Sequence, residues 1–159
     1  MDKITLALQK IDSILKNANF SQHTLKKSTL LWHSGLFAPG SVENSSIWCE
    51  SNPSERKKYC GSAIASASDK NETRKPYMIQ FQLRKDILVL NCEGFSFRSF
   101  AINDCESSHN MMKDIMEHWC LSNRLEGLFA INGSLSEVLV VRPNDLLDIK
   151  SSKELTARI

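Results

Sequence analysis

"SIWCESNPSERKKYC", residues 46–60, changes character halfway along. Ile47, Trp48 and Cys49 form a short β-favouring apolar run that reads as a strand. Ser51 or Asn52 then offers an N-cap, Pro53 suits the first helical position and Glu55 falls in the first turn. The spacing therefore predicts a helix that carries Tyr59 and Cys60. Trp48 and Tyr59 stand eleven residues apart across this junction. The stretch thus sets two aromatic residues on either side of a strand-to-helix junction.

Outward from that corner, strands and helices do not alternate in the manner of a parallel sheet. Ile4, Leu8, Ile11 and Leu15 recur at helical spacing, which predicts an amphipathic helix over 3–17. Residues 17–28 form a polar connector with room for a short second helix, 29–33 read as a strand, and the stretch from Gly35 to Ser46 reads as a turn-rich loop. Residues 77–83 and 86–91 are strand candidates joined tightly at Arg84-Lys85, and 92–104 should turn Phe95, Phe97 and Phe100 inward. A second amphipathic helix carries Met112, Ile115, Met116 and Trp119 on one stripe. "LEGLFAI" and "EVLVV" then read as strands, and "NDLLDIK" as a turn into a short final strand. This order points to an α+β fold.

A chain of 159 residues, 42% hydrophobic and 24% charged, suits a single soluble domain with a real core. No apolar stretch is long enough to span a bilayer, and Asp2, Lys3, Gln9 and Lys10 interrupt the N-terminus too often for a signal peptide. Cysteines 49, 60, 92, 105 and 120 form no CxxC pair and no metal-ligand spacing, so reduced, mostly buried thiols and a cytosolic working place are expected, with no metal. The net charge of +2 is too small to argue for nucleic acid. Arg56–Lys58 and Lys70–Lys85 do crowd the middle with positive charge. GxGxxG, GxxxxGK[ST], HExxH and GxSxG are all absent, which excludes the common Rossmann, P-loop, zinc-protease and serine-hydrolase machines.

Three separated stretches place unusual residues at strand ends: "LLWHSG" at 30–35, the corner at 46–60, and "SLSEVLVV", where Glu137 opens an apolar strand. Singly, each has a structural explanation. His33 could bond a backbone carbonyl, Trp48 and Tyr59 could be core aromatics, and Glu137 could be an exposed strand-start charge. As an ordered set over roughly residues 29–150, they resemble the histidine–tyrosine–glutamate branch of the ADP-ribosyltransferase superfamily, which includes poly(ADP-ribose) polymerases and diphtheria-type toxins. The Leu-Trp-His run, the Ile-aromatic strand leading to Tyr59-Cys60, and the late glutamate strand carry the likeness.

The resemblance implies a split β-sheet core at 29–150, an N-terminal helical segment at 1–28 packed on it, and a C-terminal tail at 151–159. It implies NAD as substrate and one cleft lined by His33, Trp48, Tyr59 and Glu137. His33 would bond the nicotinamide ribose. The backbone at Ser34, with Gly35 beside it, would hold the carboxamide. Trp48 and Tyr59 would stack on the cationic ring. Glu137 would grip the ribose 2′-hydroxyl and stabilise the oxocarbenium charge. His33 and Glu137 are thus the candidate catalytic pair. Leu135 stands where arginine-modifying toxins carry a second acid, which disfavours arginine as acceptor.

The implied activity is mono-ADP-ribosylation by an effector, toxin or phage-type host modifier. Its acceptor would be a macromolecule, protein in preference to nucleic acid, with an inhibitor or immunity protein as a further partner and no membrane. It would work in a cytosol, that of a host or target cell included. The alternatives are an NAD glycohydrolase on the same site and a non-catalytic binding protein on a degenerate fold of this type.

Overall fold

Residues 2–17, 20–37, 46–52, 56–94, 109–129 and 137–155 are described by the computed structural model. In chain order the elements are α1 (Lys3–Asn17), β1 (Gln22–Leu25), β2 (Leu30–Phe37), β3 (Ile47–Glu50), α2 (Arg56–Ala67), β4 (Lys75–Leu83), β5 (Ile87–Asn91), α3 (His109–Ser122), β6 (Gly127–Phe129), β7 (Glu137–Val140), the single turn α4 (Pro143–Leu146) and β8 (Leu147–Glu154). The strands form one sheet in the order β1-β5-β6-β7-β3-β2-β4-β8. Every ladder is antiparallel except β5–β6. The α+β expectation describes this arrangement.

Both faces of the sheet centre are covered, so β7 is buried along its whole length and reads as a continuous apolar run. Alternation divides it. Leu139 joins Ala7, Ile11 and Leu15 of α1 with Ile115, Met116 and Trp119 of α3. Val138 and Val140 turn to the opposite face, among Leu31, Ile47, Ile79 and Phe81. Helix α1 begins where the Asp2 carboxylate accepts the Thr5 amide at 2.7 Å, an N-cap bond. It is held to α3 by the Trp119 indole N–H donating to Asp12 at 3.2 Å. Helix α2 covers a third apolar patch, Cys60 and Ala63 against Leu155 and Met78.

Three boundaries differ from the sequence expectation. Residues 22–25 form a strand within the expected connector. β1 is an edge strand, exposed except at Leu25, so it lacks the apolar alternation that announces a strand. β2 continues past His33 to Phe37, because β4 pairs with it from Leu30↔Gln82 to Phe37↔Lys75. β8 runs through residues 151–154, expected as tail. Its polar "KSSKE" is exposed, and backbone pairing with β4 makes it a strand. Pro53, Glu55, Phe95, Phe97, Phe100, Cys105 and Leu135 lie outside the described residues, as do the side chains of Tyr59 and Met112.

One ladder governs the site. β2 and β3 pair at Trp32↔Glu50 alone, whereas β3 pairs with β7 along its full length. The sheet therefore opens between β2 and β3 immediately beyond Trp32.

Gly127 shows how tightly the neighbouring strands approach. A Cβ at this position would fall inside the van der Waals envelope of the Leu139 carbonyl oxygen, a backbone atom of a buried strand. Gly127→Ala should therefore destabilise the fold by about 2 kcal/mol or more, read as a lower urea midpoint at unchanged slope. A midpoint equal to the parent's would show that β6 and β7 can separate at no cost.

Candidate functional site

β3 is the strand on which the three separated sequence stretches converge. An unbroken β2–β3 ladder would continue from Trp32↔Glu50 to set Ser34 opposite Trp48. Instead the His33 imidazole takes that place, its Nδ1 hydrogen-bonded to the Trp48 carbonyl oxygen. The bland explanation of His33, a bond to a backbone carbonyl, thus holds, and the carbonyl is that of a second candidate residue. The Phe37 ring meets the imidazole edge to face, with centroids 5.4 Å apart and planes at 69°. Gly35 lies beneath it: a Cβ built there would stand 2.7 Å from Nε2.

On the far side of β3, Glu137 opens β7 directly opposite Glu50. Neither is an exposed strand-end charge: Glu50 is 4% and Glu137 6% accessible. Trp32, Glu50 and Glu137 make one row across β2, β3 and β7, and Trp48 is a diagonal neighbour of Glu137 on the same face. Like charges directly opposite are unfavourable in a sheet, so packing alone disfavours this carboxylate pair.

Alternation along β2 turns His33 and Gly35 to the face opposite Trp32. His33 reaches the Trp48 carbonyl where the two strands part, and there alternation in one strand no longer fixes direction relative to the other. Trp48 is half-buried and also packs against the α1–α3 core, so its core role is real. Ser34 Oγ lies 3.3 Å from Cys60 Sγ, which ties β2 to α2 one residue from Tyr59. The structure therefore joins His33 to Trp48 through backbone, Glu137 to β3 through Glu50, and Ser34 to the Tyr59-Cys60 turn of α2.

Two site neighbours escape sequence reasoning. Glu50 ends the short strand "IWCE", where a glutamate reads as solvent-facing. Phe37 sits in a segment that reads as loop. Only the ladder with β7 and the extension of β2 locate them.

The electrostatics single out the histidine. Removal from water holds His33 at about 4, well below its ordinary value; the Trp48 carbonyl pulls upward and the Lys113 ammonium pushes down. The ring is therefore neutral at physiological pH. Because a carbonyl only accepts, Nδ1 carries the proton and donates, which leaves Nε2 as a bare acceptor. Burial pushes the Cys92 thiol up to about 12 and also raises Cys49 and Cys120, so these three are not thiolate nucleophiles. Among the described residues no group of His, Cys, Asp and Glu side chains is placed to hold a metal ion. Within the same residues no helix is long and apolar enough to cross a membrane.

No protein-family model matches the sequence, and no curated protein matches it. A chain from the crystal structure of the M. tuberculosis MbcT–MbcA toxin–antitoxin complex is similar in structure, with a TM-score of 0.53 over 94% of this chain and 92% of that one. The two are 12% identical, so what they share is the fold, which extends over nearly the whole of both chains.

Proposed function

We propose that this protein is an NAD-consuming enzyme of the toxin type, which breaks the bond between nicotinamide and ribose and moves ADP-ribose onto a protein acceptor. The observation that carries this reading is the convergence on β3: the His33 imidazole on the Trp48 carbonyl on one side, and the buried Glu137 in register with Glu50 on the other. The fold likeness to a chain of a toxin–antitoxin complex supports the toxin class. It also supports a protein inhibitor as partner.

The chemistry follows from the states of these groups. A bare Nε2 suits His33 to accept a hydrogen bond from a ribose hydroxyl and makes it a poor general acid. The backbone edge of β2 beyond Trp32, released from the β3 ladder, offers amide and carbonyl groups to a carboxamide. Trp48, with Tyr59 from α2, would flank the pyridinium ring. As the C1′–N bond breaks, its electron pair leaves with nicotinamide, and positive charge grows on the ribose. A buried carboxylate at Glu137 stabilises that charge more strongly than one in water would. The acceptor's nucleophile then bonds C1′ and gives up its proton.

Adenylate-labelled NAD incubated with the protein and a cell lysate tests this. Free nicotinamide should appear together with label on protein, and Glu137→Ala should lower the rate by about 100- to 1,000-fold. Equal release by both forms would remove Glu137 from the chemistry. Label recovered only as free ADP-ribose would make water the acceptor.

The neutral histidine also makes stability depend on pH. In the unfolded chain His33 takes up a proton near its ordinary value, about 6.5, and in the folded chain only near 4. Between those values the unfolded state binds more protons, so this contribution is complete above about pH 6.5 and is lost as the pH falls towards 4. Urea unfolding at pH 7 and pH 4.5 should show a loss about 2–3 kcal/mol larger for the parent than for His33→Gln. Equal losses would place the ring in water.

A further inference from the structure

We infer that Gly35 is a positioning residue, present so that the imidazole of His33 can lie across the strand with Nδ1 on the Trp48 carbonyl and Nε2 above the Gly35 backbone. The closest atoms that a Cβ at Gly35 would meet all belong to one side chain: His33 Nε2 at 2.7 Å, Cδ2 at 3.5 Å and Cε1 at 3.6 Å. The first is closer than real Cβ contacts come. The ring cannot easily yield, because two contacts hold it: the Trp48 carbonyl at Nδ1 and the Phe37 ring, packed edge to face with it. Phe37 is itself anchored in the buried cluster with Leu31, Ile79 and Val138.

Among the described residues, neither a left-handed backbone nor an irregular strand accounts for this glycine. Gly35 does not have a positive backbone φ, unlike Gly94. Its strand pairs regularly with β4, opposite Tyr77. A glycine in an ordinary strand is a weak choice, since it loses more freedom on folding than alanine and adds no packing. Alanine would be tolerated or slightly favoured at such a backbone position, were the imidazole not there. The cost of a bare strand position is thus tied to one neighbour. This inference deepens the proposed function, because the atom placed by Gly35 is the acceptor assigned to the ribose hydroxyl. The packing claim beneath it stands without that assignment.

A double-mutant cycle separates the two. In the parent, Gly35→Ala should lower the melting temperature by about 3 °C or more, whereas in a His33→Ala background the same change should leave it level or raise it. If Gly35→Ala alone fails to fold but the double variant folds, the inference is upheld. Equal losses in both backgrounds, or failure of both to fold, would overturn it, since Gly35 would then serve something other than the ring. Nitrogen-15 imidazole spectra of the parent should show protonated Nδ1, and those of folded Gly35→Ala a shift towards Nε2–H or an exchange average. An unchanged tautomer would also overturn the positioning role. In nicotinamide release, Gly35→Ala should lower kcat about tenfold or more with little change in KM. If the parent releases no nicotinamide, the enzymatic reading fails, while the thermal cycle and the spectra still decide the inference.

Discussion

The bond between the His33 imidazole and the Trp48 carbonyl closes a gap that the sheet itself leaves open. Antiparallel strands lose their backbone partners where they part, and an unpaired buried carbonyl is costly. At Trp48 a side chain from the neighbouring strand supplies the missing donor. At the opening between β2 and β3, in the interior of an eight-stranded sheet, the Trp48 carbonyl thus keeps a partner although the ladder has ended. The same bond fixes the tautomer and leaves the second nitrogen as an acceptor. One interaction therefore sets both the shape of the site and the hydrogen-bonding character of its histidine.

Everything on the other side of β3 depends on rigidity. Glu137 keeps its position because the rest of β7 is enclosed on both faces, by α1 and α3 on one and by the β2–β4 core on the other. Val138 opposite Cys49 and Val140 opposite Ile47 lock the register, and a slip of one residue would turn the carboxylate to the other face. Gly127 adds to this by letting β6 approach the Leu139 carbonyl closely. Glu137 thus gets its setting from apolar residues packed on the two faces of β7.

Much of this was legible in the sequence where periodicity was strong. The helices at 3–17 and around 109–122 follow from their apolar stripes, and β7 from its unbroken apolar run. β1 and the far end of β8 were not legible, because edge strands keep polar side chains and are held by backbone bonds that composition does not record. The candidate residues could be proposed from their order along the chain. Their connections could not: that His33 meets a carbonyl rather than a side chain, and that Glu137 faces Glu50, are consequences of strand register. Gly35 illustrates the difference best. Sequence reasoning places it beside Ser34 at a ligand, and only the folded strand shows how close a Cβ there would come to the imidazole two residues before it.

The pairing of β3 with β7 has a further consequence, one of timing. Glu50 and Glu137 are immediate neighbours in the sheet, yet most of the chain lies between them. Closing so long an interval is entropically costly and late, since the intervening strands and α3 must be in place before β7 finds both of its partners. During synthesis β2 and β3 emerge well before β7, the strand that pairs with β3 along its full length. A chain ended before β7 would lack both Glu137 and the strand that β3 pairs with along its full length.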